Sequence, residues 1–239
     1  MSKLITKIQN RLKKNKIKKT IILPEAEDER VLKATLRVLE DGIVNIILIG
    51  NNEKILEDLN NDNINEKSLD IDKYIKDGSL KIYDIEKEET LYNELFTYLH
   101  DLRKHKGLTL EEAEKLAKDE VYFGILMLKK GLADGLVSGA IHSTKDTLKP
   151  TLQIIGVDKN KSNIVSSFFI MEMPENRDNT KNILKYDEYI FSDGGLVENP
   201  TEDQLVDIAK ASRNSYENII GETSYTAMLS YSTMGSASS

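Results

Sequence analysis

Apolar positions along this chain follow two alternating rhythms. Short apolar runs at TIIL (20–23), VNIILIG (44–50) and SLKIYD (79–84) read as strands, and helical stretches fall between them, Glu27 to Asp41 and Glu53 to Leu59. Strand, helix, strand in this order is the pattern of a parallel sheet, which makes the fold class α/β. Residues 60–78, rich in Asn, Asp and Lys, read as an exposed connection. From Glu89, Leu91, Leu95, Tyr98, Leu99 and Leu102 recur at spacings of three and four, predicting an amphipathic helix that stops at Gly107. Thr109 and Glu112 form a capping-box pattern, and Tyr122 to Lys130 reads as a further helix stopped by Gly131. Beyond Gly156 the texture changes. NIVSSFFIMEM (163–173), YDEYIFSD (186–193) and TAMLSYS (226–232) predict strands, and Thr201 with Gln204 caps a helix running to about Tyr216. These patterns divide the chain into subdomains at 1–152 and 153–239.

The segment LADGLVSGAIHSTKDTLKPTLQIIG (132–156) carries the strongest chemical signal. Leu132 to Val137 reads as a buried strand, Ser138-Gly139-Ala140 as a turn, and Pro150 places the helix start near Thr147, because proline fits only a first turn without loss of a hydrogen bond. The Ser138-Gly139-Ala140 turn lets backbone amides approach a ligand, and a hydroxyl cluster of Ser143, Thr144 and Thr147 follows. The free amides at the helix start and the ammonium of Lys149 would then converge on an anion. An ordinary strand-to-helix turn with a capping hydroxyl fits the same residues. Gly131, Gly135 and Gly139 match neither a dinucleotide fingerprint nor a phosphate-loop motif.

Composition narrows the chemistry. The 239 residues contain no cysteine, so a covalent acyl-cysteine route and thiolate metal sites are excluded. A net charge of −7 argues against a nucleic-acid binder. The first twenty residues are basic, but Leu4, Ile5, Ile8 and Leu12 share one helical face, so a first amphipathic helix explains them more simply than a targeting segment. No run approaches the roughly 18 apolar residues of a membrane span, and a cytoplasmic protein is expected. His100, His105 and His142 show no metal-ligand spacing, and no metal or cofactor is assigned. His142 lies in the turn as a substrate contact or an oriented structural imidazole. Asp193, before Gly194-Gly195, is a functional carboxylate at a strand end or a turn cap.

Five segments in order, ILPEAEDER (22–30), LRKHKGLTLEEA (102–113), VYFGILMLKKGLADGLVSGAIHSTKDTLKPTLQII (121–155), FSDGGLVENPT (191–201) and AMLSYSTMGSA (227–237), resemble bacterial phosphate acetyltransferases along essentially the whole chain. The resemblance implies a two-subdomain, three-layer α/β/α fold of the isocitrate-dehydrogenase-like type with an incomplete second subdomain, a homodimer, and substrates between domains. The implied reaction is acetyl-CoA plus orthophosphate giving acetyl phosphate plus CoA, the thiol attacking directly, and a phosphate butyryltransferase is the near alternative. Family arginines that hold CoA and phosphate fall on Arg30 and Arg103, and a third falls on Lys149. Lysine supplies a point charge where arginine supplies a planar fork, so weaker phosphate retention is expected. Met234 stands where the family's STKGSA pattern has lysine. The family pattern continues past this point with the serine, arginine and aspartate that stabilise the transition state and take the thiol proton, so no catalytic residue is assigned within the chain. A fragment that binds CoA or phosphate without turnover, with an exposed apolar strand at 226–232 that promotes self-association, is the alternative expectation.

Overall fold

A computed structural model describes residues 2–14, 17–174, 187–229, 232 and 236. Two compact units are present: Arg11–Gly156, and Met1–Asn10 together with Val157–Ser239.

The larger unit is built on four parallel strands, β1 (Lys19–Leu23), β2 (Val44–Ile49), β3 (Leu80–Tyr83) and β4 (Gly135–Leu136), in the order β3-β2-β1-β4. The α helices of this unit are α2 (Glu29–Asp41), α3 (Asn52–Leu59), α4 (Ile71–Lys76), α5 (Glu89–Arg103), α6 (Leu110–Leu116), α7 (Glu120–Lys129) and α8 (Thr144–Ile154), and α1 (Lys3–Lys13) precedes them. Strand β2 shows why both sheet faces are covered. Ile46 and Leu48 join Leu32, Leu36 and Leu39 of α2 in one core, while Ile47 and Ile49 join Leu95, Leu99 and Phe123 in the other. Alternate residues of a strand point to opposite faces, and a strand apolar at every position needs a layer on each. Helix α7 is buried from Val121 through Met127. Its Gly124 brings it against the sheet: a β-carbon there would stand 2.8 Å from Leu136 Cδ1 and 3.1 Å from both Ile22 and Ile49.

Most elements form where the periodicity predicts them, including both capping boxes, and three expectations in this unit are corrected. The 60–78 connection contains α4 and buries Ile64 and Ile71, and the Asn65 side chain both donates to the Leu69 carbonyl at 2.9 Å and accepts from its amide at 2.7 Å. A helix of this length is too short to declare a period. The Leu132–Val137 strand reduces to Gly135–Leu136, because it is a sheet edge: Leu132 and Val137 are exposed, and the Asp134 carboxylate binds the Thr20 amide and the Lys19 ammonium. Helix α8 begins at Thr144, not near Thr147, since Ser143 caps it by accepting from the Asp146 amide. Pro150 is therefore interior. An interior proline costs about 3 kcal/mol, and a serine cap offsets about 1 kcal/mol of it.

In the smaller unit β5 (Phe168–Glu172) and β6 (Glu188–Ser192) pair antiparallel, followed by α9 (Glu202–Ile219), which packs on β6. Phe169, Met171 and Phe191 share one exposed face of the hairpin. The strand expected at 226–232 is not formed over 226–229: that stretch has no ladder partner and exposes Met228 and Leu229. Ser230 and Tyr231, like Met234 and the polar segment 175–182, lie outside the described residues. No helix among the described residues is long and apolar enough to cross a membrane.

Candidate functional site

Strands β2 and β3 lie to one side of β1 and β4 to the other, so the order of connection reverses between β1 and β4. Open α/β sheets bind ligands outside the carboxyl ends of their strands at such a reversal. The segment after β1 brings Glu25 there, and the segment after β4 brings the turn Gly139–His142.

The turn is an anion receptor, and the anion it holds belongs to the chain. Gly139 and Ala140 amides donate to Glu25 Oε2 at 2.8 and 2.9 Å, Ile141 and His142 amides donate to Oε1 at 2.9 and 2.8 Å, and His142 Nδ1 lies 2.9 Å from Oε1. Gly139 makes this geometry available with φ of 115°. Glu25 is only 3% exposed. Burial alone would raise its pKa, but the amides of His142, Ile141 and Ala140 and the imidazole reverse that and lower it to about 2. For His142, burial opposes the charged form, and the hydrogen bond to Glu25 with the charges of Asp119 and Glu120 outweighs it, raising the pKa. His142 is thus an oriented partner of Glu25. In the sequence Glu25 was marked only by its place just after an apolar strand and inside the ILPEAEDER segment, neither of which pointed to the turn at 139–142.

Arg30 belongs to the same cluster. Its Nη2 donates to the Ala140 carbonyl at 2.6 Å and to Asp28 Oδ2 at 2.6 Å, and its Nε donates to Asp28 Oδ1 at 2.9 Å. Asp28 is also the N-cap of α2, so a single carboxylate both starts the helix and aims the guanidinium. The Arg30 side chain remains 73% exposed and has donors to spare for an external anion.

Ser138 Oγ lies 3.4 Å from Thr147 Oγ1, Ser143 caps α8 and donates to Asp146 Oδ2 at 2.6 Å, and Thr144 is exposed in the first turn. Lys149 sits five residues after Thr144, about 7.5 Å along the axis, and is exposed on the second turn and not at the helix end. One turn further along the same face, Gln153 accepts from the Tyr122 hydroxyl at 3.2 Å, and the charge of Arg103 reaches that tyrosine. Arg103 and Lys149 are therefore carried by helices α5 and α8, which pack on each other, and neither is hydrogen-bonded to the Glu25 turn as Arg30 is. Their side chains form no hydrogen bond or ion pair with other described residues.

A cleft of about 200 Å³ opens at the ends of β1 and β2, lined by Glu25, Glu27, Lys54, Asp58, Glu120 and His142 among others. Its carboxylates outnumber its cations, so it disfavours a phosphate.

Asp193, in the smaller unit, is a turn clamp. Its Oδ2 accepts from the Gly195, Leu196 and Val197 amides at 3.1, 2.6 and 2.7 Å, and its Oδ1 from the Ser167 amide and hydroxyl. Burial would raise its pKa, and the amides of Val197, Ser167 and Gly195 with the Ser167 hydroxyl hold it well below the ordinary carboxylate range.

Residues 3–239 match the family model described as phosphate acetyl/butaryl transferase. The phosphate acetyltransferase of Acetivibrio thermocellus is 42% identical over 92% of this chain and 60% of its own length. That of Thermoanaerobacterium thermosaccharolyticum is 40% identical over 98% of this chain and 65% of its own. Among solved structures, a phosphotransacetylase from Streptococcus pyogenes superposes with a TM-score of 0.74 at 30% identity, covering 100% of this chain and 65% of that one. One from Staphylococcus aureus gives 0.75 at 32%, covering 98% and 64%. The chain thus spans about 60–65% of the length of these relatives.

Proposed function

Because the chain belongs to the phosphate acetyl/butaryl transferase family, we propose that it serves the reversible transfer of an acetyl group between CoA and orthophosphate. The observation that carries this reading is the family match over residues 3–239. Three cations in the larger unit support it. Arg30 is exposed with its orientation set by Asp28 and Ala140, and Arg103 and Lys149 lie on adjoining helices without a counter-ion among the described residues. These groups bind phosphate and CoA by charge and by fork-like donors, with Ser138, Gly139, Ser143 and Thr144 framing the approach to Arg30. The fold we assign is the three-layer isocitrate-dehydrogenase-like arrangement, with subdomains at 1–152 and 153–239, acting as a homodimer in the cytoplasm.

Chemistry on the acetyl carbonyl needs a base for the thiol and donors for the developing oxyanion. In the family pattern these belong to the serine, arginine and aspartate beyond the STKGSA segment, and the 239 residues supply the binding groups. The test is thioester formation from acetyl phosphate and CoA by this chain, with butyryl phosphate in parallel, alone and with the remaining third of a relative added. Turnover with acetyl phosphate that is lost in Lys149→Ala supports a complete acetyltransferase. Turnover only after addition supports a binding part, and faster reaction with butyryl phosphate moves the substrate to butyryl. CoA binding without turnover in either arrangement leaves a non-catalytic module.

A further inference from the structure

Glu25 reaches the turn after β4 across 114 to 117 positions of sequence and fills four successive amides. Such a row of N–H groups is the arrangement that receives phosphate in other α/β proteins. Here it is satisfied from within. The same turn sends the Ala140 carbonyl to Arg30, and the residue that follows it, Ser143, starts α8. One buried carboxylate thereby holds the turn whose Ala140 carbonyl accepts from Arg30 and which leads into the helix that bears Lys149.

We propose that Glu25 is a positioning residue for anion binding: by occupying the amides of Gly139–His142 it fixes Arg30 and the start of α8, so that substrate phosphate is received by the Arg30 side chain and not by the turn. This rests on the reading that the protein handles phosphate. The charges around the turn agree with it. His142 and Arg30 face Glu25, while Asp119 and Glu120 of α7, with Asp146 of α8, face His142. A phosphate entering the turn would have to expel a carboxylate held by four amides and an imidazole, and would then sit beside Asp119 and Glu120. At Arg30 it meets an exposed fork with donors remaining.

The experiment titrates the isotope-labelled 239-residue chain with inorganic phosphate and follows three nuclei by NMR: the Glu25 carboxyl carbon, the amides of 139–142, and Arg30 Nε. The expected result is a shift at Arg30 Nε while the Glu25 carboxyl carbon stays in place. Glu25→Gln, which presents an NH₂ where the amides need an acceptor, is expected to lower the His142 titration midpoint and to weaken phosphate binding by about tenfold. Glu25→Asp, which keeps the charge, is expected to recover part of that affinity. A role confined to stability would reduce the unfolding midpoint in both variants and leave the phosphate affinity of the folded protein unchanged, which overturns the proposal. Tighter phosphate binding in Glu25→Gln, or displacement of the Glu25 carboxyl resonance by phosphate in the wild type, also overturns it, since Glu25 would then be a competitor for the turn. The wild-type titration decides this point even if Glu25→Gln fails to fold. If phosphate moves none of the three nuclei, the phosphate reading itself falls.

Discussion

The turns at 139–142 and 195–197 use one device, a carboxylate that collects successive backbone amides, in two different settings. Glu25 comes from another strand, is almost wholly buried, and has an imidazole beside it. Asp193 gathers amides two to four residues ahead and reaches back only to Ser167, in a half-buried loop. The first therefore ties β1 to the segment after β4, and the second shapes a local loop. A buried carboxylate that joins distant segments holds more of the fold than one that closes its own loop, so similar hydrogen-bond counts carry unequal energies.

The sharpest way to break this comparison is to delete each carboxylate. Glu25→Ala empties a buried position and leaves four amides and an imidazole without their acceptor, and is expected to cost about 3 kcal/mol or more. Asp193→Ala removes a half-buried acceptor from the amides of its own loop and from Ser167, and is expected to cost about 1–2 kcal/mol. Urea midpoints followed by circular dichroism measure both, and equal losses would show that the two turns are equivalent.

Acid sharpens the same contrast. The folded pKa of Glu25 is lowered from 4.5 to about 2. Its stabilisation is therefore complete above pH 4.5 and lost as pH falls from 4.5 through about 2, a change of about 3 kcal/mol. His142 runs oppositely: its folded pKa is raised above 6.5, so its contribution is complete below 6.5 and lost as pH rises through the raised value. The pair is strongest between pH 4.5 and 6.5. Urea midpoints measured from pH 2 to 8 are expected to show both flanks in the wild type and both reduced in Glu25→Gln, the remainder coming from Asp119 and Glu120 beside His142 and from Asp193. A wild-type profile flat across that range would remove the ionic character of the tie.

A third test concerns how tightly the larger unit holds its sheet. Gly124→Val places methyl groups where a β-carbon already meets Leu136, Ile22 and Ile49. Overpacking is expected to cost about 1–3 kcal/mol. Phe169→Val on the exposed hairpin face is expected to change stability by less than about 0.5 kcal/mol, and thermal melts compare the two.

How much of this was readable beforehand differs by element, for physical reasons. β2 and α5 were legible because burial imposes a period on many residues at once. The capping boxes were legible because their chemistry is local. The start of α8 was misread because Pro150 was given more weight than the cap at Ser143, and tertiary burial of Pro150 tolerates what propensity penalises. β4 and the stretch at 226–229 were overread, since an apolar run states what can be buried and not which partner strand is there. The turn was expected to receive a ligand anion, and its amides hold the Glu25 carboxylate, a match between residues 25 and 139–142 that has no signature along the chain. Arg30 is hydrogen-bonded to that turn whereas Arg103 and Lys149 are not, a division that residue type alone could not reveal.

The smallest effects compare the two capping boxes. Thr109 accepts from the Glu112 amide at 3.2 Å while Glu112 Oε2 accepts from the Thr109 amide at 2.9 Å. Thr201 and Gln204 repeat this at 3.3 and 2.9 Å. Thr109→Ala and Thr201→Ala should each cost about 1 kcal/mol. The boxes differ in that Glu112 is charged and Gln204 is not, and in that the Thr109 hydroxyl also donates to Glu112 Oε2 at 3.1 Å. A negative charge in the first turn is favourable against the helix dipole, and the Thr109 amide and hydroxyl hold the Glu112 pKa below its usual value of 4.5. The contribution of the Thr109 box is therefore complete above pH 4.5 and declines as pH falls through the lowered value, whereas that of the Thr201 box is constant. Amide exchange in the first turns of α6 and α9, measured at pH 3 and pH 6, should show weaker protection at pH 3 in α6 alone. Equal behaviour in the two helices would mean that the carboxylate acts at Thr109 as a hydrogen-bond acceptor and nothing more.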